Sequence, residues 1–264
     1  MSTIENNFEP MTAGMILDKS FRLYLQNFAL MVGLSAILNI PLLAFTLVFG
    51  GGQVNSTTVN VAAVMVGLLA FVLAMIIMVP LITGATTAAV SDIYVGNSVT
   101  AGSALSAAWR RAWMLLKTQL IVGLIVTVGL LLILVPGILW ALSYTLVAPI
   151  IMIEGSQSSS EVRRRSWELV RGNRGKVFLI LLAILVIQWL IGIGIGVISV
   201  LGLFGLGSSS GVLISQVLNG LVSILMTPMS AIAVTLLYYD FRIRKEGFDL
   251  EMLSRSMDSA TPEA

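Results

Sequence analysis

The sequence contains no cysteine, no histidine and few charged residues. The lack of cysteine excludes disulfides, iron–sulfur clusters and thiolate chemistry. The lack of histidine removes the commonest metal ligand and the usual general base near neutral pH. Only 11% of the residues are charged, against about 25% in soluble domains. With 57% hydrophobic residues and a mean hydropathy of +0.98, the composition indicates a protein whose solvent is lipid. We expect no metal, no cofactor and no catalytic group.

Three long stretches carry no charge at all, namely 23–91, 118–153 and 177–239. A helix needs about 20 apolar residues to cross a bilayer, so each stretch predicts a hairpin of two spans. We expect spans near 28–50, 61–84, 119–135, 137–153, 177–201 and 212–238. The predicted turns lie at 50–57, at Pro136-Gly137 and at 202–211. The middle stretch is the shortest, and a re-entrant hairpin is the alternative there.

The predicted turns between paired spans carry no charge, and all 15 Lys and Arg residues flank the opposite ends of the spans. Cytoplasmic loops of membrane proteins carry an excess of Lys and Arg. We therefore expect a multi-pass protein of the cell inner (plasma) membrane, with both termini in the cytoplasm. The net charge of +2 is too small to indicate nucleic-acid binding.

A similar short segment precedes each hairpin, opening at Thr12, Thr100 and Ser158. Thr and Ser are good N-cap residues, and Ser158 has capping-box spacing to Glu161. Apolar residues recur at helical spacing in the segments, which predicts amphipathic helices lying in the headgroup region. The predicted fold is all-α, a polytopic bundle of about six transmembrane helices in three hairpins, each preceded by such a cytoplasmic interfacial helix. The repeat-like units span 12–99, 100–157 and 158–247 of a single membrane domain, 1–250, followed by a disordered cytoplasmic tail, 251–264.

Two features inside the spans are candidates for function. Asn39, Gln188 and Asn219 are polar, and either form interhelical hydrogen bonds or line a path for a neutral solute. Four prolines are expected to kink spans, which can build a substrate site but is also ordinary in membrane bundles: Pro41, Pro80, Pro149 and Pro228. Gly192 and Gly196 have the spacing that permits close helix contact.

The densest charge in the chain is basic and follows the second hairpin. The expected cytoplasmic contact set comprises Arg163, Arg164, Arg165, Arg171, Arg174, Lys176, Arg242, Arg244 and Lys245. Each cation near an anionic leaflet contributes about 1 kcal/mol to binding. The set therefore predicts a site for anionic lipid or a protein partner, or alternatively an anchor that only fixes topology.

Three stretches carry a family resemblance. They are Thr12–Phe28, the segment from Pro136-Gly137 to Arg165-Ser166-Trp167-Glu168-Leu169, and Tyr238-Tyr239-Asp240-Phe241-Arg242 through Asp249. Together they resemble the membrane-domain family of glycerophosphoryl diester phosphodiesterase and related YciC-like proteins of unknown role. In fusions of that family the phosphodiesterase chemistry resides in a separate barrel with histidines, so the resemblance implies a membrane protein and transfers no catalytic residue.

These observations leave three functional hypotheses. The first is a non-enzymatic membrane module that binds lipids, a membrane protein partner or a second copy of itself through its basic cytoplasmic face. The second is a transporter or channel for a neutral or lipid-like solute. The third is a lipid-modifying enzyme, which requires a carboxylate pair facing a cytoplasmic cavity.

Overall fold

A computed structural model describes residues 10–49, 61–155, 158–206 and 208–246. These residues form helices and contain no strand. In chain order the helices are α1 (Ala13–Gln26), α2 (Phe28–Phe49), α3 (Val61–Val95), α4 (Ala101–Arg110), α5 (Ala112–Leu132), α6 (Leu134–Ser143), α7 (Val147–Pro149), a π-helical turn (Ile150–Glu154), α8 (Ser159–Val170), α9 (Arg174–Leu206) and α10 (Ser208–Glu246). The predicted tail 251–264 and the predicted turn 50–57 lie outside the described residues.

Among the described residues, six segments are long and apolar enough to cross a membrane. A short helix precedes each pair of them: α1 before α2 and α3, α4 before α5 and the broken helix that follows it, and α8 before α9 and α10. The predicted all-α bundle of three hairpins is therefore confirmed. At about 1.5 Å per residue, the 35 residues of α3 and the 39 of α10 extend well beyond a hydrocarbon core of about 30 Å.

All three helices start at the predicted N-cap residue, and a side-chain capping bond forms in two of the three. The hydroxyl of Thr12 accepts from the N–H of Met15, and Thr100 forms a reciprocal capping box with Ser103. Ser158 is the N-cap of α8 but makes no side-chain capping bond, so the predicted capping box with Glu161 is wrong.

The short helices α1 and α4 each pack one face against the bundle, and in α1 that face includes the aromatic ring of Tyr24. The buried face of α4 consists of Ala104 and Ala108, whereas Trp109 is 67% exposed. In α1, Ile16 and Leu23 are buried and Phe21 is exposed. The aromatic rings of Trp109 and Phe21 therefore point away from the protein, as expected of helices that rest in a headgroup layer.

The second hairpin turns at Ile133, three residues earlier than predicted. Pro136 and Gly137 lie in the first turn of α6, where proline is tolerated because the first helical N–H groups have no intrahelical partner. The turn is so tight that it requires glycine at position 137, because a Cβ there would lie 2.5 Å from the backbone nitrogen of Leu130. The side chains of residues 131–135 are all apolar and 63–81% exposed.

The predicted loop 202–211 is also largely helical, since α9 continues to Leu206 and α10 begins at Ser208. A close helix contact was expected at Gly192 and Gly196, but a Cβ added at either glycine would meet nothing within 4 Å. Close approach occurs elsewhere: a Cβ on Gly220 would lie 2.7 Å from a methyl group of Leu43. Gly220 thus allows α10 to pack closely against α2.

The fourth predicted span is a broken helix. α6 ends at Ser143, α7 begins at Val147, and the chain then forms the π-helical turn that Gly155 ends at φ +71°. The guanidinium of Arg111 donates to the carbonyls of Ile151 and Met152. Arg111 therefore satisfies carbonyl groups at the end of this turn that lack helical partners.

The core lies at the end of the bundle where the short helices pack. The largest fully buried side chains include Tyr238, Tyr239 and Phe241 near the end of α10. Toward the other end, leucines such as Leu69, Leu131 and Leu190 are 60–81% exposed. Packing among protein side chains thus dominates one half of the bundle, and the other half presents an apolar surface suited to lipid.

Candidate functional site

The structure divides the predicted basic set into two groups. Five of its members bind carboxylates or helix-end carbonyls of the protein itself: Arg165, Lys176, Arg242, Arg244 and Lys245. The other four, Arg163, Arg164, Arg171 and Arg174, lie on α8 and on the turn into α9. The two groups have different physical roles, which their charge alone did not reveal.

The first internal cluster surrounds Asp240, whose side chain is fully buried. Lys176 donates to its carboxylate at 2.5 Å and Arg244 at 3.1 Å. The N–H of Met11 also donates to it at 2.7 Å, while the Met11 carbonyl accepts from both Lys176 and Arg244. A buried charge is tolerated when it is paired and hydrogen-bonded, and this cluster ties the segment before α1 to α9 and α10.

The second internal cluster joins the π-helical turn, α8 and α10. Arg165 forms an ion pair with Glu154 at 3.1 Å and another with Glu246, and the hydroxyl of Tyr238 donates to Glu154 at 3.0 Å. Arg242 donates to Glu246 at 3.0 Å. Burial by itself lowers the pKa of Arg165, but the carboxylates of Glu154 and Glu246 outweigh this effect, so that its pKa is raised. Arg165 is therefore a structural cation.

Lys245 caps the C-terminal end of α8. Its ammonium donates to the carbonyl of Glu168 at 2.6 Å and to that of Arg171 at 2.8 Å. Cations at the C-terminal end of a helix bind free carbonyls and interact favourably with the helix dipole. Lys245 thus holds the turn between α8 and α9 against α10.

Arg163 and Arg164 lie on the outer side of α8 and make weak contacts. Arg163 donates to the carbonyl of Ser159 at 3.2 Å. Arg164 lies 3.7 Å from Glu168, with side chains 75% and 59% exposed. An exposed pair of this kind contributes little to stability.

Arg171 and Arg174 frame an open pocket of about 610 Å³ together with Trp167, Gly172 and Gly175. The Arg174 guanidinium lies over the Trp167 ring at 4.5 Å from its centroid. The Nε atom of Arg174 is buried and has no hydrogen-bond partner among the described residues. Within the described part of the chain, no carboxylate lines this pocket. We call it the α8–α9 pocket.

Local structure explains why the pocket forms. α8 ends at Val170 and Gly172 adopts φ +88°, a left-handed conformation that glycine reaches without strain. The chain reverses there and enters α9 at Arg174. The buried hydroxyl of Ser166 donates to the Ser143 carbonyl at 2.7 Å, which anchors α8 on the end of α6 and so positions Trp167.

The pocket lies at the boundary of a candidate span, because Arg174 is the first residue of the apolar segment Arg174–Ile198. Tryptophan and arginine are both suited to that level, where an apolar layer meets polar headgroups. A guanidinium has five donors in a planar fork that matches phosphate oxygens. The arrangement can therefore bind a phosphate group at the membrane surface.

A second cavity, of about 290 Å³, lies between α3 and α4. Its charged lining residues are Asp92, Arg110 and Arg111. Among the described residues that line it there is a single carboxylate, not the pair that a lipid-modifying enzyme was expected to show. Arg111 is occupied by the helix-end carbonyls described above.

The predicted intramembrane polar residues are not brought to one site. Asn39 is buried and donates to the Ser35 carbonyl at 2.9 Å and to the Thr227 hydroxyl at 3.3 Å. Gln188 and Asn219 are exposed on the surface of the bundle, and Asn219 donates to the Ser215 carbonyl of its own helix. The interhelical hydrogen bond expected of such residues is present for Asn39.

Comparison of the chain with protein-family models, curated proteins and solved structures finds no match in any of the three.

Proposed function

We propose that this integral membrane protein is a non-enzymatic module that binds anionic lipid headgroups in the α8–α9 pocket. The observation that carries the proposal is that Arg171 and Arg174 share a pocket whose described lining has no carboxylate. The five other cations named above bind carboxylates or helix-end carbonyls of the protein itself.

The chemistry of the lining residues supports binding and not catalysis. Trp167, Arg171, Arg174 and two glycines include no group that serves as a general base at neutral pH. The stacking of Arg174 on Trp167 fixes the guanidinium plane, so that less conformational entropy is lost when a phosphate binds. From the positive-inside rule we expect this face to lie in the cytoplasm, where the leaflet is anionic.

The test compares two double variants with the same loss of charge. Arg171→Gln/Arg174→Gln removes both guanidiniums of the pocket, and Arg163→Gln/Arg164→Gln removes two from the same segment outside it. The measurement is the Kd of each detergent-solubilised protein for dioctanoyl phosphatidylglycerol, with dioctanoyl phosphatidylcholine as the neutral reference.

We expect the pocket variant to lose about 2 kcal/mol of binding, since each cation near an anionic surface contributes about 1 kcal/mol. That loss raises the Kd about 30-fold, whereas the Arg163/Arg164 variant should change by less than about threefold. Equal effects in the two variants would show that attraction is diffuse and that the pocket is not a site. No preference for phosphatidylglycerol over phosphatidylcholine in the unmodified protein would also refute the proposal.

A further inference from the structure

A half-open cavity lined by hydroxyl-bearing residues lies between α2, α3, α7 and α10. Its volume is about 170 Å³, and its lining residues fall within the candidate membrane spans. Six of them carry hydroxyls: Thr83, Thr86, Thr87, Thr145, Thr227 and Ser230. We call it the hydroxyl-lined cavity. None of the described residues that line it is ionisable.

The hydrogen bonds of these hydroxyls determine whether the cavity presents donors or acceptors to a ligand. Five of the six hydroxyls donate to a carbonyl three or four residues earlier in the chain. The acceptors are the carbonyls of Val79, Ile82, Ala141, Ser223 and Thr227, at 2.6–3.1 Å. A carbonyl oxygen cannot donate, so the proton of each hydroxyl is committed to the backbone. A hydroxyl has one donor and two lone pairs, and the lone pairs remain for a ligand, except the one on Thr227 that accepts from Asn39.

The break in the helix adds a further acceptor. Pro149 has no N–H to donate to the carbonyl of Thr145, four residues earlier, and both residues line the cavity. The comparable carbonyl before Pro228, that of Ile224, accepts from the Ser35 hydroxyl of α2 at 2.5 Å. Freed carbonyls in a membrane helix need such a partner, and because Thr145 lines the cavity, its carbonyl is a candidate acceptor for a donor bound there.

We infer that the hydroxyl-lined cavity is a binding site for water and small neutral solutes that donate hydrogen bonds, such as a short polyol. The volume of about 170 Å³ corresponds to about six waters at about 30 Å³ each. Acceptors facing the cavity satisfy donors and disfavour an anion, and with no ionisable residue in the described lining a full charge would be desolvated without compensation. This inference is independent of the α8–α9 pocket.

The test uses single cysteines, because the natural chain contains none. A methanethiosulfonate reagent modifies the thiolate, which forms only where water reaches the thiol. Thr86→Cys and Ser230→Cys place the thiol in the cavity. Ile232→Cys is the dry control, since Ile232 is fully buried outside the lining, and Ser98→Cys is the exposed reference.

Two reagents of similar size distinguish the ligand class: the 2-hydroxyethyl derivative is neutral and donates a hydrogen bond, and the 2-sulfonatoethyl derivative is an anion. After normalisation to Ser98→Cys, we expect both cavity thiols to react with the neutral reagent at least about tenfold faster than with the anion, because burial of an unpaired charge is costly. Ile232→Cys should react with neither.

A further variant tests the acceptors themselves. Thr83→Val/Thr86→Val keeps the shape of the cavity and removes two hydroxyl oxygens, each of which bonds a carbonyl of its own helix, so the reaction of Ser230→Cys with the neutral reagent should slow severalfold in that background. Cavity thiols that react no faster than Ile232→Cys would mean a dry or lipid-filled space and would overturn the inference. So would equal normalised rates for the two reagents.

Discussion

The buried carboxylate of Asp240 provides the strongest test of how the end of the bundle where the short helices pack is held together. The Asp240→Asn variant keeps the shape of the side chain and one acceptor for the N–H of Met11, but removes the negative charge. Lys176, whose side chain is only 15% exposed, then lacks its compensating charge. Removal of one partner of a buried ion pair costs about 3–5 kcal/mol. Since Arg244 is 37% exposed and can turn to water, we expect a loss near the lower end, about 3 kcal/mol.

The assay is the free energy of unfolding from titration with dodecyl sulfate in mixed micelles, followed by tryptophan fluorescence. Asp18→Asn is the matched control, because it makes the same chemical change in an i,i+4 pair with Arg22 whose side chains are 61% and 72% exposed. That pair should contribute less than about 0.5 kcal/mol.

A double-variant cycle identifies the cause. Addition of Lys176→Met to Asp240→Asn removes the uncompensated ammonium and should recover about 1–3 kcal/mol, the usual coupling between residues in one ion-pair network. If Asp240→Asn costs no more than Asp18→Asn, the buried cluster does not stabilise the fold and the reasoning is wrong. An additive cycle would show that the loss is unrelated to Lys176.

Two further predictions concern the second hairpin. Gly137→Ala should destabilise the protein by about 1–3 kcal/mol in the same unfolding assay, because the added Cβ meets the backbone of Leu130 and overpacking carries that cost. The control is Gly123→Ala, where an added Cβ meets nothing, and it should be neutral or stabilising by up to about 1 kcal/mol. Equal effects of the two substitutions would refute the close approach of α6 to Leu130. A cysteine at Ile133 should resist a membrane-impermeant maleimide from both sides of sealed vesicles, since its exposed apolar turn is expected to stay in hydrocarbon. A cysteine in the predicted polar turn between the first two spans shows that the reagent reaches the far side, and labelling at Ile133 to the same extent would contradict the placement.

The span positions could be read from the sequence because the bilayer imposes a length and an apolar composition on each helix. The predicted span from residue 28 agrees with α2, and the spans predicted near 61–84, 177–201 and 212–238 lie inside longer helices. The helix ends were less predictable. The turn at Ile133 has an apolar sequence, and the expected loop at 202–211 continues largely as helix because glycine and serine tolerate a helix when neighbouring turns already provide the hydrogen bonds.

The candidate sites, like the helices, were predictable from the sequence only in part. The basic set was visible as charge, but its separation into internal ion pairs and the α8–α9 pocket was not. Asp240 lies more than 60 residues from its partner Lys176, and no local pattern relates the two. No sequence pattern marks the threonines at positions 83, 86, 87, 145 and 227 as one site, because a threonine whose hydroxyl bonds its own helix looks in sequence like ordinary helix surface.

The sequence by itself determined the all-α membrane architecture, the three hairpins with their short preceding helices and the one-sided distribution of charge, because these follow from composition and local periodicity. Only the tertiary structure decided which cations are paired, where the close glycine contacts occur and which hydroxyls surround a common cavity. Those properties depend on distances between helices far apart in the chain, and a helix of given sequence can rotate or slide by a residue with little change in its local energy. The contacts between helices select one arrangement, and the α8–α9 pocket and the hydroxyl-lined cavity exist only in that arrangement.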